Sequence, residues 1–452
     1  MHQSIRILKR ALRVLSYLLA GLAPILLGGG LGAVGSLRAA TPPIPAEVAV
    51  AVKPWPAPSH DAARPTVAIV LGEISSEVTD VLGPYAMFAR SGAYNVYAVA
   101  ASRAPHTLSG GLDIVPHLTL AELDALLGGD PAIIVTPAMA SVGDAANAPL
   151  LAWLRQHAAG TSIMFSWCTG AQVLAAAGLL DGRAATAHWG DLGTLERDYP
   201  NVRWQRGVRY VDEGKVITSA GLTSGIDATL HLLGRLHGRE LADRLAADMG
   251  YPSAHFAASP QMEQYEMGGS DNVYIFNLAF YWPKQQLGVW LGDGVDELEL
   301  AAVFDIYTAS WTSQSATLGA SASVRSLNGL QLVPRWTAPN IPAVDQVLVL
   351  GDQAAGAELA LAGRPDTTLV GPDPSRAGEF VFERALERFD AEGNGATARF
   401  AARRLEYRAE SLELAGGGWP LRVIAWPLLL GSLGLALRWA GGRWWRSRRR
   451  SA

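Results

Sequence analysis

The amino-acid sequence predicts an α/β fold with a mainly parallel sheet, and two observations support this prediction. Short, mostly apolar runs recur through the middle of the chain, which is typical of strands buried on both faces of a sheet. Segments with helical spacing of apolar residues lie between these runs. Such alternation of buried strands with helices is the pattern of α/β proteins rather than of all-α or all-β proteins.

The first predicted strand begins at Thr66, after a proline-rich stretch. Strands are predicted at 66–71 (TVAIVL), 94–100 (YNVYAVA), 132–136 (AIIVT), 162–167 (SIMFSW) and 216–219 (VITS). Helices are predicted at 76–91, 150–158, 170–180 and 224–237. We therefore expect one α/β domain over 66–250.

Composition and charge exclude several classes of protein. The 452 residues include 37 Lys+Arg and 41 Asp+Glu, a formal net charge of −4, so no overall basic field favours nucleic acid as a partner. The single cysteine excludes a disulfide within the chain and a zinc site built on several cysteines, and we expect no metal ion and no cofactor. Charged residues make up only 17%, against roughly 25% in an average protein.

The amino-terminal segment combines a basic start with a long uncharged stretch. Arg6, Lys9, Arg10 and Arg13 precede the run 14–37, which has no charged residue. This run exceeds the ~20 residues that cross a bilayer and the apolar region of about 7–15 residues in a secretory signal. We expect a membrane anchor here, and a cleaved signal is the alternative.

The carboxyl-terminal segment repeats this pattern in reverse order. The run 419–440 is apolar apart from Arg422 and Arg438, and the arginine-rich end of the chain contains Trp444 and Trp445. Tryptophan beside basic residues is typical of a membrane interface, and a buried amphipathic helix is the alternative. Because both flanks are basic, the positive-inside rule predicts cytoplasmic termini and a main domain outside the cytoplasm, at an inner or plasma membrane.

An internal similarity completes the predicted organisation of the chain. The segments are 1–40 (membrane anchor or signal), 41–65 (proline-rich linker), 66–250 (α/β domain), 251–286 (connector), 287–410 (second half-domain) and 411–452 (membrane helix and basic cytoplasmic tail). The similarity aligns 289–293 with 69–73 and 329–334 with 111–116. The second copy has no cysteine, so we expect a degenerate, non-catalytic half-domain.

Cys168 is the main candidate for a functional residue. A predicted strand runs directly into Cys168 and a helix follows at once, as at a nucleophile elbow. The helix N-terminus favours thiolate over thiol, and thiolate is the reactive species. His188 is a candidate base or hydrogen-bond partner. The alternative for Cys168 is a small buried apolar residue.

Four motifs in combination resemble the ThiJ/PfpI family of the class I glutamine amidotransferase-like superfamily. They lie at 79–84 (TDVLGP), 166–171 (SWCTGA), 177–189 (AGLLDGRAATAHW) and 218–221 (TSAG). The resemblance covers about 66–245 and extends to isonitrile hydratases and to the amino-terminal domains of AraC-type regulators. It implies a flavodoxin-like sandwich around the mainly parallel sheet.

The resemblance also implies roles for three residues. Cys168 matches the elbow cysteine, Asp80 the acidic residue that faces it, and His188 the histidine of the family's dyad. Each has an alternative role, since Asp80 at the start of a predicted helix is also a natural cap and His188 is also consistent with an ordinary core or surface histidine.

An oxyanion hole is implied by the same resemblance. The backbone N–H of Thr169 would form part of it, and Gly170, Ala138 and Trp189 belong to the same binding set. The family usually has a Gly-Gly pair where this chain has Ala138 and Met139. An alanine still offers its N–H, although a backbone position that prefers glycine is distorted by a side chain.

Several functions fit these residues. The first is a membrane-anchored enzyme, a cysteine-dependent hydratase, lyase or hydrolase acting on a small molecule. The second is a non-enzymatic ectodomain that senses redox state or a ligand through the same pocket, and the third is a structural scaffold. The expected partners are a small molecule and the lipid bilayer, with a homodimer or an internal pseudo-dimer, and without nucleic acid.

Overall fold

Helices and strands alternate through most of the computed structural model, which describes residues 2–362, 367–407 and 412–448. The helices of this described part are α1 (His2–Ala40), α2 (Ala46–Ala51), α3 (Val78–Ser91), α4 (Leu120–Leu127), α5 (Ala148–Ala158), α6 (Ala171–Ala176), α7 (Trp189–Asp198), α8 (Leu222–His237), α9 (Arg239–Asp248), α10 (Asn272–Phe280), α11 (Glu297–Val303), α12 (Ala354–Ala360), α13 (Val381–Phe389), α14 (Gly395–Arg404) and α15 (Leu421–Arg448). The strands are β1 (Thr66–Val70), β2 (Asn95–Ala100), β3 (His106–Thr107), β4 (Asp113–Val115), β5 (Leu118–Thr119), β6 (Ile133–Thr136), β7 (Ile163–Ser166), β8 (Ala184–Ala185), β9 (Arg203–Trp204), β10 (Tyr210–Asp212), β11 (Val216–Ser219), β12 (Gln285–Leu291), β13 (Ser313–Gly319), β14 (Val324–Arg325), β15 (Gln331–Val333), β16 (Trp336–Thr337), β17 (Gln346–Val349) and β18 (Thr368–Val370).

The larger sheet contains the predicted strands in the order β10-β11-β7-β6-β1-β2-β5. All neighbouring pairs are parallel except β10 with β11. Every residue of β1, β6 and β11 is buried, because helices cover both faces of the sheet. The predicted α/β fold with a mainly parallel sheet is therefore confirmed.

A smaller sheet follows in the carboxyl-terminal part of the chain. Its order is β16-β13-β12-β17-β18, and each of its pairs is parallel. The first strand in sequence, β12, lies between β13 and β17, just as β1 lies between β2 and β6 in the larger sheet. We call residues 66–250 the first half and residues 285–407 the second half.

Several contacts join the halves. Strand β15 of the second half pairs antiparallel with β4 of the first half, in a sheet of order β14-β15-β4-β3. Helices α3 and α11 also pack together. Beside this contact, Thr79 of α3 donates a hydrogen bond to Asp305 at 2.5 Å, and the Tyr85 hydroxyl donates to the carbonyl of Asn328 at 2.8 Å. The two halves share one hydrophobic core, so each supports the other.

The proline-rich segment 41–65 packs against both halves and contains α2, which the expectation of an extended linker did not include. Trp55 donates its backbone N–H to the side chain of Gln331 at 2.9 Å, and Arg335 donates to the carbonyl of Pro42 at 2.9 Å. These hydrogen bonds hold the segment on the protein surface, because they satisfy backbone groups that a free linker leaves to water.

Helices α1 and α15 are each long and apolar enough to cross a membrane. They pack side by side in opposite directions: Arg438 donates to the Ser16 hydroxyl at 3.0 Å, and Gly434 approaches Ala20 closely. A Cβ atom on Gly434 would lie 1.9 Å from the Ala20 carbonyl oxygen, so only glycine permits this contact. The boundary expected at 410/411 and the basic residues from 449 onward lie outside the described residues.

Candidate functional site

Cys168 lies at a strained turn between β7 and α6. Its φ angle is +53°, in the left-handed region that non-glycine residues adopt rarely and mostly at functional or tightly constrained positions. Its N–H donates to the Ser219 hydroxyl at 3.3 Å. Gly170 completes the turn, since a Cβ atom there would lie 2.0 Å from the Thr136 carbonyl oxygen. The geometry of an elbow, predicted from the sequence, is present.

A cavity of about 670 Å³ opens beside this turn. Five of the residues predicted to form the site line it, namely Cys168, Thr169, Ala138, His188 and Trp189. The remaining two lie behind its wall: Gly170 is in the turn itself, and Asp80 is fully buried at the start of α3. The structure therefore gathers the predicted residues at the carboxyl edge of the larger sheet, where ligands bind in parallel α/β proteins.

Asp80 contributes a carboxylate with one oxygen bound and the other free. Its Oδ2 accepts the Ala138 N–H at 2.9 Å, and its Oδ1 has no hydrogen-bond partner among the described residues. Burial raises the pKa of Asp80 to about 7, against the opposing effect of the Ala138 N–H. A carboxyl group with this pKa exchanges protons near neutral pH. The Ala138 N–H, expected as an oxyanion donor, is already occupied by this carboxylate.

Glu77 is a site residue that the sequence analysis did not single out. It lies immediately before α3 and accepts the Asp80 N–H at 2.7 Å and the Ser109 hydroxyl at 3.3 Å. Burial, followed by the charges of Asp305 and Asp80, raises the pKa of Glu77 well above its ordinary value. Glutamate is not among the residues preferred at an N-cap, so no local sequence signal pointed to it.

The thiol of Cys168 has a raised pKa, which corrects the expectation of a favoured thiolate. Burial is the largest cause, and the carboxylates of Asp80, Glu77 and Asp191 add to it. The N–H of Thr169 opposes this rise. Desolvation and like charge outweigh the short helix α6, so the resting group is a thiol and its reaction as a nucleophile needs a base.

His188 binds a different partner from the one expected. Its Nε2 donates to the carbonyl of Arg404 at 3.0 Å, and its Nδ1 accepts the Gly190 N–H at 3.2 Å. Burial alone would lower the pKa of His188, but Asp191 and Glu406 raise it overall. Neither ring nitrogen is hydrogen-bonded to Cys168 in the structure, so His188 holds the cavity wall together here instead of forming a dyad.

Thr169 connects the elbow to α7. Its hydroxyl donates to Asp191 at 2.6 Å and lies 3.8 Å from the Cys168 sulfur. Burial would raise the pKa of Asp191, but the His188 ring, 3.7 Å away, and the hydrogen bond from Thr169 lower it. An ionised Asp191 therefore fixes the Thr169 side chain beside the thiol.

The outer wall of the cavity comes from outside the first half. Met267, Tyr274 and Ile275 belong to the segment predicted as a connector, and Phe400 and Arg404 lie on α14. Only the fold brings them to Cys168, because they are remote in sequence and follow no motif of their own. Residue-pattern reasoning therefore could not assign them to the site.

Arg404 is held in this wall by Asp305. Its guanidinium forms an ion pair with the Asp305 carboxylate, which also accepts the Thr79 hydroxyl. Burial opposes the charged form of Arg404, but the Asp305 charge raises its pKa. The same guanidinium lowers the pKa of Glu77, so the second half sets part of the electrostatic field at the cavity. In the described part of the chain, no group of three His, Cys, Asp or Glu residues is arranged to hold a metal ion.

The site combines an elbow cysteine at the carboxyl edge of a parallel sheet with a buried carboxylate. This combination defines the class of α/β proteins to which this chain is assigned. The chain belongs to the DJ-1/PfpI family, which matches residues 65–235. The resemblance read from the motifs is thereby confirmed.

Individual relatives differ in what they do. An isonitrile hydratase of Pseudomonas putida is 32% identical over 183 residues, 39% of this chain and 74% of that protein. The HTH-type transcriptional regulator CdhR of Pseudomonas aeruginosa is 33% identical over 155 residues, 33% of this chain but only 43% of that protein. A THiJ/PfpI family crystal structure from Pseudomonas syringae aligns with 48% of this chain and 87% of its own, at 25% identity and a TM-score of 0.36.

Proposed function

We propose that this chain is a cysteine-dependent hydratase for a small molecule with an electrophilic carbon. The observation that carries the proposal is a strained elbow cysteine together with a fully buried Asp80 whose charge acts on the thiol. The Oδ1 of Asp80 has no hydrogen-bond partner among the described residues. An unpaired buried carboxylate oxygen is costly, and a proton donor would satisfy it. The hydratase among the relatives supports the same reaction class.

The first step of the proposed reaction transfers the Cys168 proton to Asp80. A base is needed because the thiol has a raised pKa, and the pKa of Asp80, about 7, suits this task at neutral pH. The sulfur then bonds to the electrophilic carbon, and the N–H of Thr169 stabilises the negative charge that develops.

The atoms and electrons of the proposed reaction balance most simply when the substrate is an isonitrile. Sulfur adds to the terminal carbon, and the proton held by Asp80 ends on the same carbon, giving a thioimidate. Water adds to that carbon while nitrogen takes a proton, and the carbon–sulfur bond breaks. The products are an N-substituted formamide and the regenerated thiol, so one isonitrile and one water are consumed with no change in oxidation state of the enzyme.

Formamide production from n-butyl isonitrile by the full-length chain in vesicles tests this proposal. We expect turnover by the wild type, none by Cys168→Ala and a much reduced rate in Asp80→Asn. Glu297→Gln is the matched control, since Glu297 is equally buried but lies in the second half. Equal turnover by Cys168→Ala and wild type would refute the enzymatic proposal.

A ligand-sensing ectodomain is the second candidate, and a specific observation favours it. The cavity residues Trp189, Tyr274 and Phe400 share one apolar cluster with Trp419, immediately before α15. A ligand bound in the cavity would therefore change the packing at the start of α15. Saturable quenching of tryptophan fluorescence without turnover would support sensing over catalysis. The redox variant of this idea is less favoured, since oxidation begins from thiolate.

We also propose that α1 and α15 form a membrane hairpin with cytoplasmic termini. Basic residues at both ends and the side-by-side packing of the helices support this. Flotation of the chain with vesicles tests the anchoring. A reporter fused to the carboxyl terminus tests the topology, and activity only outside the cytoplasm would contradict it.

The second half is proposed to be a degenerate copy that makes an internal pseudo-dimer with the first half. Equivalent strand orders in the two sheets and the central β4–β15 pair support this. The expectation that nucleic acid is not a partner continues to rest on net charge.

A further inference from the structure

The outer wall of the cavity is apolar and open to the surroundings. Met267 and Ile275 line the cavity and are 48% and 50% exposed. Tyr274 and Phe400 also line the cavity, with ring centroids 4.6 Å apart. Large exposed apolar side chains at the mouth of a cavity mark a route for an apolar ligand.

Helix α10, which carries part of this wall, is also docked on the two apolar helices. Its Leu278 carbonyl accepts the Ser36 hydroxyl of α1 at 2.7 Å, and the Trp282 carbonyl just beyond it accepts the Trp426 indole N–H of α15 at 3.0 Å. Ile275 and Leu278 lie on the same face of α10, about one helical turn or ~5 Å apart. The cavity mouth is thus about one turn of helix away from α1.

A second part of the cavity wall also contacts the ends of the apolar helices α1 and α15. Ser109 lines the cavity, and the 3₁₀ turn Ser109–Gly111 packs against the end of α1. The apolar cluster that joins Trp189, Tyr274 and Phe400 to Trp419 reaches the start of α15. Two separate walls of the cavity therefore contact the ends of the apolar helices.

The surroundings of this junction are unusually aromatic. Ring contacts with centroid separations of 5.1–5.9 Å join Phe276 with Trp419, Phe280 with Trp282, and Trp282 with Trp426. The guanidinium of Arg422 lies over the Tyr281 ring. Aromatic and basic side chains at the ends of apolar helices mark the level of the lipid headgroups, so the cavity mouth lies at that level when the hairpin is in a bilayer.

We propose that the cavity receives its ligand from the bilayer surface, and that this ligand is a small apolar or amphiphilic molecule that partitions into lipid. The inference rests on the proposed membrane anchoring and on the position of Cys168 in the cavity, and it does not require turnover. Lipid concentrates such a molecule, and the exposed Met267 and Ile275 give it an apolar path to the thiol.

Alkylation of Cys168 tests this inference, because it is the only cysteine of the chain. The full-length protein in phosphatidylcholine vesicles is treated with N-ethylmaleimide and with N-octylmaleimide, which share one reactive group. Glutathione in the same vesicles corrects for the loss of each reagent into lipid. The readout is the ratio of octyl to ethyl labelling rates.

We expect this ratio to exceed that of glutathione in the wild type and to fall about tenfold in Ile275→Asp, because a charge at the mouth disfavours the apolar chain. Met267→Asp is a second test at the same mouth. Leu126→Asp is the matched control, since Leu126 is 42% exposed and lies on α4, away from the cavity.

An unchanged ratio in both mouth variants, or an equal fall in Leu126→Asp, would overturn the inference. Flotation of the same vesicles distinguishes failure of the membrane anchoring from failure of the ligand route. A chain that does not float contradicts the proposed anchoring. A chain that floats but shows no octyl preference contradicts only the ligand route. Thermal unfolding of each variant shows that it has folded.

Discussion

The first and second halves place a carboxylate at the same point of their folds. Glu77 and Asp296 are the N-caps of α3 and α11, the first helices after the first strand of each sheet. Glu77 accepts the Asp80 N–H at 2.7 Å, and Asp296 accepts the Leu298 N–H at 2.8 Å. Because both halves keep this helix cap, it serves the fold.

The halves differ at the third residue of these two helices. Asp80 takes this place in the first half and is fully buried, whereas Glu299 takes it in the second half, is partly exposed and forms an ion pair with Arg384 at 2.8 Å. The strand that corresponds to β7 is β18, which leads to Gly371 and has no elbow. The comparison separates a structural cap carboxylate, present in both halves, from a fully buried aspartate and an elbow cysteine that the second half does not repeat, and the proposed chemistry rests on these last two.

The prediction with the largest expected effect on this comparison concerns the turnover of n-butyl isonitrile. Asp80→Asn should lower n-butyl isonitrile turnover by about 10²–10⁴-fold, the usual contribution of a positioned acid or base. Glu77→Gln should keep most of it, because a neutral glutamine preserves the contact with Ser109. Initial rates across a range of substrate concentrations measure both. A deeper loss in Glu77→Gln than in Asp80→Asn would break the comparison.

The second prediction concerns stability against pH. The pKa of Asp80 rises from 3.8 to about 7 on folding, so the folded state binds its proton more tightly and wild-type stability falls as pH rises from 4 to 7. Asp80→Asn removes this penalty. Relative to wild type it should gain on the order of 2–4 kcal/mol at pH 8, compared with pH 4.

Denaturant unfolding at both pH values measures this difference. The control is Leu300→Ala, whose effect should not depend on pH because no titrating group is removed. A pH-independent difference between Asp80→Asn and wild type would show that the aspartate ionises normally.

The third prediction compares the two strand ends. Gly170→Ala should destabilise the protein by about 1–3 kcal/mol, since its Cβ atom would lie 2.0 Å from the Thr136 carbonyl oxygen. Gly371→Ala should change stability by no more than about 0.5 kcal/mol, because a Cβ atom there meets nothing within 4 Å. Thermal unfolding of the two variants side by side checks this, and equal losses would argue against a unique elbow.

The prediction with the smallest expected effect concerns Asp305 of the second half and its action on the carboxylates of the first half. Asp305→Asn removes a negative charge that raises the pKa of both Glu77 and Asp80, and leaves the positive charge of Arg404 uncompensated. Both changes favour ionised carboxylates, so the acidic limb of the pH–rate profile should move to lower pH. A shift to higher pH would contradict the proposed electrostatic role of the second half.

The sequence predicted those parts of the site that local pattern determines. Cys168 was recognisable because a strand, an elbow and a helix follow each other along the chain, and Asp80 because it belongs to a motif. The first sheet was predictable for the same reason, since most positions of its central strands are apolar. The direction in which the pKa of Cys168 shifts was not predictable, because the burial of the thiol and its closeness to the charges of Asp80 and Glu77 arise only on folding.

The outer wall of the cavity could not be predicted for a different physical reason. Tyr274 and Ile275 lie in a segment without a motif, and Phe400 and Arg404 reach the elbow only because the second half packs on the first. The proline-rich segment was predicted as a linker, although side chains remote in sequence, such as Gln331, hold it in place. Tertiary contacts of this kind leave no periodic signal.

The pairing of Arg438 with Ser16 bears on where such a protein would reside. The uncharged stretch of α15 between Arg422 and Arg438 is about 22 Å long at 1.5 Å per residue, shorter than a hydrocarbon core of ~30 Å. Arg438 is bound to Ser16 and stacks over Tyr17 of α1, so it cannot extend freely to the headgroups. In the proposed membrane hairpin, the short uncharged stretch of α15 would therefore favour a thin bilayer over thick, ordered membrane regions.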